Sequence, residues 1–144
     1  MAPPAEDISP ASDDGSIPDD AILWRRILDN RHAITKNKDG TLRPSSLVFR
    51  DGSEAREVSL HLADLTTVET VLQGRPDVIA ITAITAGEAR NLGYAVVSDP
   101  QPDDPSHVYI RLPDGQTHGQ EEKASRRLAN GARWIKHPPE TYSL

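Results

Sequence analysis

The chain has 144 residues, 36% of them hydrophobic and 4% aromatic, so the sequence predicts one modest, mostly aliphatic core. Its formal charge of −6 belongs to one end: Glu6, Asp7, Asp13, Asp14, Asp19 and Asp20 occur with no Lys or Arg in the first 20 residues, and the 16 acids that remain equal the 16 basic residues. A nucleic-acid role carried by overall charge is thereby excluded; no apolar run approaches the roughly 18 residues of a membrane span, and zero cysteines exclude disulfides and thiolate zinc sites. With neither a basic start nor a hydrophobic leader at the N-terminus, the expected location is the cytoplasm.

Residues 1–19 mix Pro, Ala, Ser, Asp and Gly around two large aliphatics, Ile8 and Ile17. They bury too little surface to offset their ordering entropy, so a disordered acidic tail is expected there. A single compact domain is expected over residues 20–138, followed by a flexible C-terminus over 139–144. The first ordered element is Asp20–Leu28, whose Leu23, Trp24, Ile27 and Leu28 fit one helical stripe, although a strand fits the same nine residues. Trp24 reads as a core anchor in either case.

Thr35–Gly40 is turn-like, and Pro44 biases Arg43 toward extended backbone. Leu47-Val48-Phe49 fits a short strand closed by Asp51-Gly52. From Glu57 to Leu62 the pattern alternates, with Val58, Leu60 and Leu62 on one face and Glu57, Ser59 and His61 on the other. Thr66 and Glu69 have capping-box spacing and open a helix that Gly74 and Pro76 end.

The apolar run Val78–Ile84 fits a strand buried on both faces. Thr85-Ala86-Gly87-Glu88 follows as a second capping box, and Gly93 is placed as a left-handed helix stop. Strands are expected at Tyr94–Ser98 and His107–Leu112, joined through an exposed loop with Pro100, Pro102 and Pro105. Glu121–His137 reads as the last helix, with Ala124, Leu128, Ala132 and Ile135 inward. The fold class is α+β: a small mixed or mainly antiparallel sheet with two or three helices, the C-terminal one packed on one face through Leu128 and Ile135.

Several stretches resemble a group of small bacterial proteins with no established activity. They are Leu23-Trp24-Arg25-Arg26-Ile27, Arg43-Pro44-Ser45-Ser46, Thr85-Ala86-Gly87-Glu88-Ala89-Arg90, Asp99-Pro100 through His107, and Arg126-Arg127-Leu128-Ala129 through Trp134. The resemblance implies a bacterial source, a single compact domain and an accessory gene within an operon. It carries over no functional residue.

Two constellations bear chemistry. On the polar faces of the two alternating strands, His61 and His107 would stand with Glu57 and Arg111 if the strands pair. Two imidazoles can divide acid and base duty in phosphodiester cleavage while a guanidinium steadies developing charge. The same face could hold a nucleotide, as an ADP-ribosyl-transfer enzyme does. The second constellation is the basic face of the last helix, Lys123, Arg126, Arg127 and Arg133 with Trp134 at its edge, fit for a protein partner or for RNA phosphates. Neither a metal nor a cofactor is implied: His61 and Asp64 lack a third ligand, and Asp99, Asp103 and Asp104 lack calcium-loop periodicity, so turn capping suits them better. The leading expectation is a non-enzymatic accessory or interaction protein of a larger assembly. The alternative is an enzyme acting on nucleotide or RNA through the two-histidine face.

Overall fold

The computed structural model describes residues 13–29, 32–50 and 56–139. The expected turn at Asp51-Gly52, the first twelve residues of the acidic tail and residues 140–144 lie outside them. Six strands form one sheet in the order β6-β7-β4-β1-β5-β8, every neighbouring pair antiparallel. These are β1 (Ile22–Leu28), β4 (Val58–Leu62), β5 (Val78–Thr85), β6 (Ala95–Ser98), β7 (His107–Arg111) and β8 (Arg133–Lys136). A separate hairpin joins β2 (Ile34–Lys36) to β3 (Leu42–Pro44). The helices are α1 (Val68–Leu72), α2 (Ala86–Asn91) and α3 (His118–Gly131). The fold is α+β.

One face of the sheet carries the main core. Leu23 and Ile27 of β1, Leu60 of β4, Ile84 of β5 and Val108 and Ile110 of β7 cluster there with Ala89 of α2 and Leu128 of α3. Filling a site such as Leu128, which is 2% exposed, contributes about 1.5–3 kcal/mol before the cost of ordering the chain. Alternation sends Trp24, Arg26, His61, His107 and Tyr109 to the opposite face. Ile81 and Ala83 are buried on that second side, as is Val71 of α1.

Local chemistry explains most of the elements. The Thr85 hydroxyl accepts from the Glu88 amide at 3.1 Å while the Glu88 carboxylate accepts from the Thr85 amide at 2.7 Å, closing the expected capping box. Gly93 then takes φ +97, a conformation that side chains disfavour, and turns the chain into β6. Thr117 and Gln120 close a similar box at the start of α3.

Other expectations are corrected. The first element is a strand, since β5 and β4 offer ladder partners on both of its sides. The segment at Ser46–Phe49 is a 3-10 turn rather than a strand: the Ser45 hydroxyl accepts from the Leu47 amide at 3.2 Å, and Val48 and Phe49 tuck into the core. The cap of α1 is Thr67, not Thr66, accepting from Thr70. Residues 100–105 are largely exposed, as expected, but they are not a loose loop. Gln101 and Asp104 exchange two backbone hydrogen bonds of 2.9 and 3.0 Å, making a tight turn that extends the β6–β7 hairpin.

The largest correction is at the C-terminus. The helix expected over Glu121–His137 spans His118–Gly131, and Ala132 turns to extended backbone. Arg133-Trp134-Ile135-Lys136 then pairs with β5 as strand β8. Ile135 is 38% exposed and does not help seat the helix, which packs through Ala124, Ser125, Leu128 and Ala129.

The segment 13–19, expected as part of the disordered tail, has a defined place. Asp13 and Asp14 bond to both the amide and the carbonyl of Val96, on β6. Ile17 is buried at 6% exposure. Arg90 of α2 donates to Asp13 at 2.9 Å, to Asp19 at 2.7 Å and to the Asp14 carbonyl at 2.9 Å.

Candidate functional site: an oriented histidine beside a lone arginine

β4 and β7 pair in a register that sets His61 directly opposite His107. Their rings meet edge to face, with centroids 6.3 Å apart and planes at 82°. The adjacency that alternation alone does not establish is thus present. Each imidazole is held through Nδ1 by its own aspartate from the β6–β7 hairpin. His61 Nδ1 lies 3.0 Å from the Asp104 carboxylate and 3.1 Å from the Ser106 hydroxyl. His107 Nδ1 lies 3.1 Å from both the carboxylate and the carbonyl of Asp99. An ionised carboxylate can only accept, so Nδ1 carries the proton and Nε2 is left as the basic nitrogen on each ring.

The tight turn at Gln101–Asp104 creates this arrangement. It returns the chain so that the Asp99 amide donates to the His107 carbonyl at 2.9 Å, and it aims Asp104 at His61. Asp104 also accepts from the Ser106 hydroxyl at 2.5 Å and from its amide at 3.1 Å. Burial pushes the Asp104 carboxyl up, but the Ser106 bonds and His61 outweigh it and hold the group below its ordinary 3.8. Burial is also the main influence on His61, lowering it from 6.5; Asp104 opposes that shift, while Arg26 and His107 add to it. His61, buried at 6% exposure, is therefore neutral at pH 7.

His61 lines a cleft of about 500 Å³ that Arg26, Arg75, Thr70, Gln101 and Asp104 also line. Arg26 reaches it from β1, two residues along from Trp24, the cross-strand partner of His61. Arg75 is neutralised by a two-bond pair with Asp77 at 3.1 and 3.2 Å. Arg26 forms no ion pair among the described residues, and its one hydrogen bond there is a long 3.5 Å contact to the Val71 carbonyl. Burial, and then the charge of Arg75, lowers its pKa from 12.5, with Asp104 and Asp77 opposing the shift, and it stays charged at pH 7. A half-buried guanidinium with no direct ion pair, offset only at a distance by Asp104 and Asp77, gains when an anion joins it.

The other expected site residues fall elsewhere. Arg111 is four residues along β7 from His107, about 13 Å at strand rise, and pairs with Asp114 at 2.9 Å. Glu57 precedes β4 by the same spacing from His61 and stands near Tyr109, whose pKa burial raises first and Glu57 second. The structure brings His61 and His107 together and leaves Glu57 and Arg111 apart from them. Arg26, Asp99, Asp104 and Ser106 take their places around the imidazoles. Among the described residues no group of three His, Asp or Glu side chains is placed to hold a metal ion.

The basic set divides as well. Lys123, Arg126 and Arg127 are exposed on α3, whereas Arg133 and Trp134 lie on β8. Arg126 pairs with Glu122 and Arg133 with Glu88, each at 2.9 Å. No helix is long and apolar enough to cross a membrane among the described residues. Comparison with family models, curated proteins and solved structures finds no match to this chain.

Proposed function

We propose that the cleft beside His61 binds a phosphate-bearing ligand of the nucleotide class and transfers a proton at it. The observation that carries this reading is Arg26, a half-buried cation with no direct ion pair among the described residues, opening onto the same cleft as an imidazole already oriented by Asp104. A phosphoryl group neutralises the guanidinium and accepts its forked donors. His61 Nε2 then takes the proton of a hydroxyl or water as its oxygen bonds to phosphorus, the P–O bond to the departing oxygen breaks, and solvent protonates that oxygen. Asp104 steadies the imidazolium so formed. His107 acts as a positioning neighbour, since its ring abuts that of His61 edge to face.

Titration calorimetry and phosphate-release assays with 5′-mononucleotides, dinucleotides and pyrophosphate test the reading. Arg26→Gln is expected to weaken binding about tenfold or more, as loss of a charged hydrogen-bonding partner does. His61→Gln is expected to retain binding while turnover falls about 10²–10⁴-fold. Equal affinity in wild type and Arg26→Gln, or no binding of any of these ligands, would remove the proposal.

A second reading, an accessory protein that docks on an assembly, is favoured by Lys123 and Arg127, which are exposed on α3 without an ion pair among the described residues. Replacing both with Glu is expected to abolish partner capture with the fold intact; unchanged capture would speak against it. The bacterial source implied by the resemblance and the cytoplasmic location expected from the sequence belong to this reading too.

A further inference from the structure

Where the sequence suggests a basic helix face, the structure assembles a different basic surface. The β2–β3 hairpin contributes Lys36, Lys38 and Arg43; β8 and its exit contribute Arg133, Trp134 and His137. Together with the end of α3 they line a groove of about 710 Å³ whose wall contains no acidic residue. Beyond residue 20 the chain is formally balanced, so a concavity lined by four cations and no acid among the described residues is a local excess of positive charge. Lys36 and Lys38 are exposed, Arg43 is held by the Asn130 side-chain oxygen at 3.0 Å, and among the described residues only Arg133 is offset by a carboxylate, that of Glu88.

The same groove opens into a second hollow of about 550 Å³, which shares Leu42, Trp134 and His137 and adds Pro138 and Pro139. Trp134 and His137 stand there with ring centroids 6.0 Å apart, tilted by 39°. The indole N–H donates to the Leu42 carbonyl at 3.1 Å, which fixes the ring against the hairpin and leaves its position set in advance. Cations on one side and a fixed aromatic platform on the other match a backbone of phosphates carrying flat bases. An acidic protein segment would use the cations but would have no need of the platform. A duplex, with its bases stacked internally, would leave the platform empty.

We propose that this groove binds single-stranded nucleic acid, with phosphates along Lys36, Lys38 and Arg43 and a base stacked at Trp134 and His137. The proposal is independent of the His61 cleft, so failure of either leaves the other standing. The test is fluorescence anisotropy of the full chain with labelled oligo-U and oligo-dT of about twelve nucleotides, at roughly 50 and 200 mM salt. Both single strands should bind, and affinity should fall with salt. The triple change Lys36→Gln, Lys38→Gln, Arg43→Gln should weaken binding at least about tenfold and flatten the log–log salt slope by about 2, since each single-strand contact contributes about 0.7. His137→Ala, at an exposed ring, should cost about tenfold through lost stacking. Lys123→Gln with Arg127→Gln removes two cations outside the groove and should cost far less affinity than the groove triple. Unfolding midpoints equal to wild type establish that each variant is folded, and all of these positions except the half-buried Arg43 are exposed. Three results overturn the proposal: no binding at the lower salt, tighter binding of a duplex or of polyglutamate than of the single strands, or equal loss from the α3 pair and the groove triple.

Discussion

At the scale of single residues, the protein holds several polar groups in apolar surroundings, and their satisfaction separates structural from functional roles. The Tyr94 hydroxyl is buried with no hydrogen-bond partner among the described residues, and burial raises its pKa. An unsatisfied buried hydroxyl costs about 1–3 kcal/mol, so Tyr94→Phe is expected to leave stability unchanged or raise it by about 1–2 kcal/mol. Urea unfolding measures this directly; destabilisation by more than about 1 kcal/mol would mean that the hydroxyl has a partner in solution. Trp24 shows the same feature at its indole N–H, one strand from His61. Arg26 differs in kind. Its charge cannot be given up at neutral pH, which is why a guanidinium with no direct ion pair among the described residues points to a ligand whereas an unpartnered tyrosine hydroxyl does not. None of this is legible in the sequence, where Arg25 and Arg26 are adjacent and alike. Alternation in the strand sends Arg25 to the Val48 and Ser59 carbonyls, at 2.8 Å each, and Arg26 to the cleft on the other face.

At the scale of elements, what the sequence discloses follows the range of the interaction that decides it. The capping box at Thr85–Glu88 and the stop at Gly93 rest on contacts within a few residues, and both are readable as written. The first strand is ambiguous because a four-residue spacing, Leu23 to Ile27, fits one face of a helix and one face of a strand equally well. Only the partners Leu62 and Ile84 decide it. The end of α3 is misread for a related reason: a free edge of β5 captures residues 133–136, a gain no local pattern contains. The histidine pair is half legible. Alternation puts each imidazole on the polar face, but register and the turn at Gln101–Asp104 supply the opposition and the anchoring aspartates. The segment 13–19 follows the same logic, since its acids are tied by an arginine more than 70 positions away. It bonds to the outer side of β6 and so covers one exposed edge of the sheet. A methyl group at Gly87 would meet the Asp19 backbone oxygen and Cβ, both at 3.1 Å. Gly87→Ala is therefore expected to loosen this strap, and Arg90→Gln to release it at a cost of about 1–2 kcal/mol, discounted for the exposure of Asp19. Limited proteolysis should then cut on the N-terminal side of residue 20 faster than in wild type; equal cleavage rates would show that the strap contributes nothing.

For the whole molecule, these buried and paired groups combine into a stability profile with two separate acid limbs. His61 is lowered from 6.5 in the folded chain, chiefly by burial, with Arg26 and His107 adding to the shift and Asp104 opposing it. On unfolding the imidazole returns to about 6.5, so below that pH the unfolded chain takes up a proton that the folded chain refuses. The stabilisation from neutral His61 is thus complete above about pH 6.5 and declines as pH falls from there through the folded value. The carboxylates give a lower limb. Burial pushes Asp13 and Glu88 up, but hydrogen bonds from Arg90 and the Val96 amide hold Asp13 below 3.8, and those from Arg133 and the Thr85 amide hold Glu88 below 4.5. With Asp104 they contribute stability that is present above the ordinary carboxylate values and is lost as pH falls through the depressed ones. Urea midpoints measured from pH 8 down to pH 3 should accordingly fall in two stages. His61→Gln keeps a polar side chain beside Asp104 but cannot titrate, so it should abolish the upper stage and leave the lower one in place. If the variant and the wild type lose stability in parallel between pH 7 and pH 5, the folded imidazole is not held neutral, and its role as the base of the cleft fails with it.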